Sequence, residues 1–118
     1  MIELTIERDT ETKQIASFIL SGHADYAEAG KDIVCAAVSG ISFGTVNAIE
    51  HLLNIVLDVE MEEEGGFLHC SVPSDMEDAL QEKVQLLLEA MIVSIESIAT
   101  TEEYKSYIRI LKQETDRR

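Results

Sequence analysis

Cys35 and His23 are the side chains of this sequence whose types and spacing could carry covalent chemistry. Eleven residues separate them, and Cys35 falls at the start of a long apolar run. If Asp32 is the N-cap of a helix, Cys35 lies inside its first turn. There, unpaired backbone N–H groups and the positive end of the helix dipole favour a thiolate. A protonated imidazole beside the sulfur adds to that preference and can pass its proton to a leaving amine. The same N–H groups are expected to stabilise the oxyanion formed when the thiolate attacks a carbonyl. Such a pair would perform acyl transfer through a cysteine nucleophile.

Residue type and position leave a second reading open. Free cysteine is among the most buried of side chains, and one between Val34 and Ala36 suits a core equally well. His23 taken alone is an ordinary strand-end residue. The other candidates fare worse on geometry. His51 lies sixteen residues after Cys35 on the same predicted helix, about 24 Å along its axis and beyond proton-transfer reach. His69 and Cys70 are adjacent strand positions that point to opposite faces. Cys70 shares its parity with Leu68 and Val72, which reads as packing.

No metal is expected, because His23, Cys35, His51 and Cys70 are scattered and form no short Cys-x-x-Cys or His-x-x-x-His pair. No cofactor is expected either. Ser39-Gly40-Ile41-Ser42-Phe43-Gly44 sits inside a helical pattern and is followed by no lysine, so it is not a phosphate loop. Two residues near the pair have supporting roles with two readings each. Asp32 caps the helix or orients His23, and a carboxylate so close to Cys35 opposes thiolate formation. Ser39, one turn after Cys35 on the same helix face, bonds the reacting groups or a backbone carbonyl.

The elements that must position these residues follow from periodicity. Ile2, Leu4 and Ile6 alternate with Glu3, Thr5 and Glu7 as in a half-buried strand, Arg8 to Lys13 turns, and Ile15 to Ser21 returns to end at Gly22-His23. Ala24 to Lys31, with Gly30, reads as a mobile connection. A helix is predicted from about Asp32 to Leu53, and its lack of charge over four turns predicts burial on more than one side. Ile55, Leu57, Val59 and Met61 alternate as a strand, Gly65-Gly66 turns, and Phe67 to Val72 returns. Pro73 ends that strand, and Ser74-Asp75-Met76-Glu77 has the form of a capping box opening a second helix. Leu80, Val84, Leu87, Met91, Ile95 and Ile98 continue that helix. Tyr107 to Gln113 alternates as a last strand. The predicted fold is α+β, a single sheet of about five strands in β-β-α-β-β-α-β order with two helices packed on one face.

Length and charge bound the rest. A chain of 118 residues is one domain with one core. The net charge of −14 disfavours nucleic acid or an anionic membrane as a partner and suits a basic one. Met1-Ile2-Glu3-Leu4 lacks the apolar stretch of a signal peptide, so a cytoplasmic protein is expected. The uncharged run Ile33 to Ile49 falls short of the ~20 mainly apolar residues of a membrane span and is expected to be a buried helix. With two cysteines in a reducing compartment, no structural disulfide is expected.

The runs Ser21-Gly22-His23-Ala24 and Ala29-Gly30-Lys31-Asp32-Ile33-Val34-Cys35-Ala36-Ala37-Val38-Ser39 closely resemble the ribosomal-processing cysteine proteases called Prp. The likeness extends over nearly the whole chain in length and element order. It implies an endopeptidase that removes the N-terminal extension of large-subunit ribosomal protein twenty-seven. Cys35 would be the nucleophile and His23 the general base and acid, with Gly22, Asp32 and Ser39 as supporting residues. It further implies a homodimer, a gating loop over roughly Ala24 to Lys31, and cleavage after an aromatic residue ahead of a basic mature chain. An acidic enzyme complements such a substrate. Two rivals from other classes are a non-catalytic acidic adaptor that binds a basic ribosomal protein, and a thiol redox sensor, which lacks a nearby resolving cysteine.

Overall fold

Alternating apolar residues build the sheet from its middle outward. β1 (Ile2–Asp9) and β2 (Ile15–Ser21) pair antiparallel, with Leu4 opposite Leu20 and Ile6 opposite Phe18. Residues of one parity therefore share one face. Their turn is tied by Asp9, whose carboxylate accepts the N–H groups of Glu11 and Thr12 at 3.0 and 2.8 Å. The computed structural model describes residues 1–28, 31–63 and 65–117.

The hairpin β3 (Asp58–Met61) and β4 (Phe67–Ser71) joins through β4, which runs antiparallel to β2 and sets Phe18 opposite Cys70 and Leu20 opposite Leu68. β5 (Ile108–Thr115) lies parallel to β1 on its other side, with Ile2 opposite Ile108. The sheet is mixed, in the order β3-β4-β2-β1-β5. Leu4, Ile6, Phe18, Leu20, Leu68 and Cys70 form its buried face. The helices α1 (Ile33–Leu53) and α2 (Asp78–Ala99) cover that face and complete one core. The element order, the single five-stranded sheet and the one-sided helical layer agree with the sequence reading.

Three details differ from it. α1 buries a single stripe, Val34, Val38, Ser42, Val46 and Ile49, while Ala36, Gly40, Phe43, Gly44 and Asn47 are exposed. Lack of charge signalled burial on several sides, but small side chains leave that face uncharged and open. By length and composition α1 could also cross a membrane, yet its stripe packs against the sheet as a core helix does. The capping box of Ser74 to Glu77 does not form. α2 begins at Asp78, and its N-cap Glu77 makes no side-chain cap bond. Tertiary contacts set that start instead: Gln81 donates to the Pro73 carbonyl at 3.1 Å, and Gln85 brackets the Ile15 backbone at 2.7 and 2.9 Å. β3 is also shorter than Ile55 to Met61. The chain leaves α1 through a left-handed Asn54, and the Leu57 N–H is held by the Glu50 carboxylate at 2.9 Å.

Candidate active site

The chain reaches the site through a sharp exit from β2. Gly22 adopts φ +84°, and a Cβ there would collide with the Met1 carbonyl oxygen. Only glycine fits that bend at low cost. The Gly22 N–H donates to the Gly66 carbonyl at 2.9 Å, tying the end of β2 to the β3–β4 turn. His23 follows, solvent-exposed, with its ring against Gly66.

The connection to α1 is folded back by one side chain. Asp32, the N-cap, accepts the Val34 and Cys35 N–H groups on Oδ1, both at 3.0 Å. Its Oδ2 accepts the N–H groups of Tyr26 at 2.9 Å and Ala27 at 3.3 Å. These donors, the Cys35 N–H first among them, hold the carboxyl below its ordinary range against the opposing effect of burial. Ala24 is buried, and the Tyr26 ring meets Tyr104 and Tyr107 edge-on, with centroids 5.6 and 5.1 Å apart. The connection expected to be mobile is thus anchored at Ala24 and Tyr26, by burial and by ring contacts that a local reading of small polar residues could not anticipate. Ala29 and Gly30 of that connection lie outside the described residues.

Cys35 stands in the first turn of α1, half-buried, and its Sγ accepts the Ala24 N–H at 3.2 Å. A cavity of about 520 Å³ opens beside it, lined by His23, Asp25, Asp32, Cys35, Ala36 and Ser39 among others. That volume falls within the range of ligand clefts. Ser39 also borders an adjoining apolar cleft that includes Leu20, Val38, Phe43, Phe67 and Leu68. Three of the first-turn N–H groups expected to stabilise an oxyanion are engaged in the resting geometry. Those of Val34 and Cys35 donate to Asp32 Oδ1, and that of Ala36 to the Asp32 carbonyl at 3.0 Å. The remaining candidates lie apart from this cavity. His51 is exposed in the last turn of α1. His69 lies 3.5 Å from the Ser71 hydroxyl on the sheet face away from the helices. Cys70 is fully buried, and burial pushes its thiol up to about 12, with Glu50 and Asp58 adding to the effect.

Residues 1–109 match the family described as cysteine protease Prp. The chain belongs to the Prp family. The ribosomal processing cysteine protease Prp of Bacillus subtilis is 40% identical over 110 residues, covering 93% of this chain and 96% of that protein. A crystal structure of the Prp protease of Staphylococcus aureus with a covalently linked product peptide superposes with a TM-score of 0.84. It shares 36% identity and covers 96% of this chain and all of that one (100%). The same protease in complex with a substrate peptide gives a TM-score of 0.77 at 35% identity, with 96% of this chain and 100% of that one covered. The family is one of cysteine proteases for ribosomal processing.

Two features of this Prp site were invisible along the chain. One is the meeting of all three tyrosines, which lie 78 and 81 positions apart from Tyr26 to Tyr104 and Tyr107. The other is Gly66, which reads as half of a hairpin turn and lies against the His23 ring.

Proposed function

We propose that this chain is a cysteine endopeptidase that removes the N-terminal extension of large-subunit ribosomal protein twenty-seven, with Cys35 as nucleophile and His23 as general base and acid. The observation that carries the reading is the placement of Cys35 Sγ in the first turn of a capped helix, facing the same cavity as His23. His23 takes the thiol proton, and the sulfur attacks the scissile carbonyl carbon. His23 then protonates the departing amine as the C–N bond breaks, leaving a thioester. Water, deprotonated by His23, cleaves the thioester and restores the thiol. The Ala24 N–H on Sγ favours negative charge on the sulfur in the resting enzyme.

The apolar cleft that meets the cavity at Ser39 supports a large apolar residue on the acyl side of the cut. The net charge of −14 supports a basic chain on the leaving side. Asp32 serves as cap and loop clasp, since its four backbone donors occupy both oxygens. A ribosomal substrate carries with it a cytoplasmic place of work. A homodimer is part of the same proposal, supported by the uncharged outward face of α1 on a strongly acidic chain. Sedimentation of the purified protein at twice the monomer mass would agree with it, and monomer alone at micromolar concentration would remove it.

The test is incubation with the extended precursor, followed by intact mass and N-terminal identification of the product. Wild type is expected to release the extension, and Cys35→Ala to leave the precursor whole. Cleavage by Cys35→Ala at the wild-type rate would sink the mechanism. Precursor binding with no shortened product from wild type would favour the adaptor reading.

A further inference from the structure

A catalytic histidine is usually held in place by a third group that bonds its ring. Here no hydrogen bond from another described residue fixes the His23 ring, and both acids that line the cavity with it are engaged elsewhere, Asp32 by backbone N–H groups and Asp25 by the N-terminal ammonium at 3.6 Å. Something else must set where the imidazole points. The ring instead lies on the α-carbon of Gly66. A Cβ built there would stand 2.8 Å from Nε2, 3.1 Å from Cε1 and 3.5 Å from Cδ2. Any side chain at this position would therefore press on the ring edge from Cδ2 through Nε2 to Cε1 and displace it, so the ring's place depends on glycine here.

Gly66 is itself firmly placed relative to His23. Its carbonyl accepts the N–H of Gly22, the residue before the histidine, at 2.9 Å. The next residue, Phe67, pairs with Ser21 across the β2–β4 ladder. We propose that Gly66 is a positioning residue for the reaction, a side-chain-free platform on the β3–β4 turn that holds the His23 ring toward the Cys35 cavity. The proposal rests on the assignment of Cys35 and His23 as the reacting pair. Both turn glycines have positive φ and border the apolar cleft, but only at Gly66 would a Cβ meet the His23 ring.

Gly65 supplies a matched control. It has φ +82° against +81° for Gly66, so alanine meets the same left-handed strain at either position, but a Cβ at Gly65 meets nothing within 4 Å. In Gly66→Ala the obstructed group is the far end of a side chain that can rotate away, so the protein folds while the ring is displaced. Both variants should therefore melt at similar temperatures. Misplacement of a reacting group by about 1 Å can lower rates by ~100-fold. Accordingly kcat of Gly66→Ala is expected to fall roughly 10- to 100-fold with KM little changed, and further than that of Gly65→Ala.

The deciding measurement needs no substrate. The pH profile of Cys35 alkylation by iodoacetamide reports coupling between the sulfur and the imidazole. It is expected to shift in Gly66→Ala toward that of His23→Ala, and to remain that of wild type in Gly65→Ala. Identical profiles for the two glycine variants would overturn the platform. Should Gly66→Ala fail to fold, Gly66→Asn and Gly65→Asn make the same comparison with a residue that tolerates positive φ. Absence of any precursor cleavage by wild type, with the alkylation shift present, would remove the protease reading and leave the platform standing.

Discussion

The first turn of α1 and the middle of β4 each hold one cysteine, and the two sulfurs meet opposite surroundings. Cys35 is half-buried, faces an open cavity with His23, and takes a backbone N–H on its sulfur. Cys70 is fully buried between Leu68 and Val72, and burial, with Glu50 and Asp58 adding to it, pushes its thiol up to about 12. One site offers donors and access to an anion. The other offers desolvation and like charge. The contrast teaches that the two sulfurs differ by what borders them: the connection before α1 turns the Ala24 N–H onto Cys35 beside an open cavity, while Cys70 lies inside a strand whose N–H groups are spent on its neighbours.

Thiol labelling breaks or sharpens this contrast most directly. Iodoacetamide on the folded protein is expected to modify Cys35 at least about a thousandfold faster than Cys70, because Cys70 must wait for an opening several kcal/mol uphill. Peptide mapping by mass spectrometry reads both sites in one sample, and comparable rates would erase the distinction. Alanine replacement gives the next largest separation. Cys35→Ala should drop precursor cleavage below roughly a thousandth of wild type with an unchanged melt. Cys70→Ala should keep cleavage within about twofold and lower stability by ~1–2 kcal/mol through the cavity it leaves.

Much of this was legible from the chain because it depends on local periodicity. Ile2-Leu4-Ile6 reads as a strand in any context, and Cys35 three residues past Asp32 reads as a first-turn position. The features that escaped notice depend on partners distant in sequence. The outward face of α1 is uncharged because it is made of Ala36, Gly40 and Gly44, and composition cannot separate small and exposed from apolar and buried. The start of α2 is set by Gln81 and Gln85 gripping Pro73 and Ile15, which outweighs the local Ser74 signal. The anchoring of Tyr26 needed Tyr104 and Tyr107 to arrive from beyond α2.

Asp32 joins the two halves of the Cys35 neighbourhood, and its variants separate them. Asp32→Ala removes the cap on Val34 and Cys35 and the clasp on Tyr26 and Ala27 together, with an expected loss of about tenfold in kcat/KM as the cavity wall loosens. Asp32→Ser can restore the cap but is too short to hold both ends. Partial rescue of the melting temperature without rescue of kcat/KM would assign the catalytic effect to the clasp. Full rescue of both would assign it to the helix start alone.

The two neighbourhoods also predict opposite limbs in the pH dependence of stability, and these are the smallest effects. The Asp32 carboxyl is held below its ordinary range in the folded chain. Its contribution is therefore present above the unfolded value of about 4 and is lost as pH falls through the folded one. The melting difference between wild type and Asp32→Asn should narrow on acidification below about pH 4. Cys70 runs the other way. Its folded value of about 12 lies above that of an unfolded thiol, so its neutral form stabilises the protein below about pH 8.5, and that contribution drains away as pH rises toward the folded value. Wild type should lose its margin over Cys70→Ala between about pH 8.5 and 11, read as the change in their melting difference so that other titrating groups cancel. A constant difference across that range would mean that the Cys70 thiol is not held neutral by its surroundings.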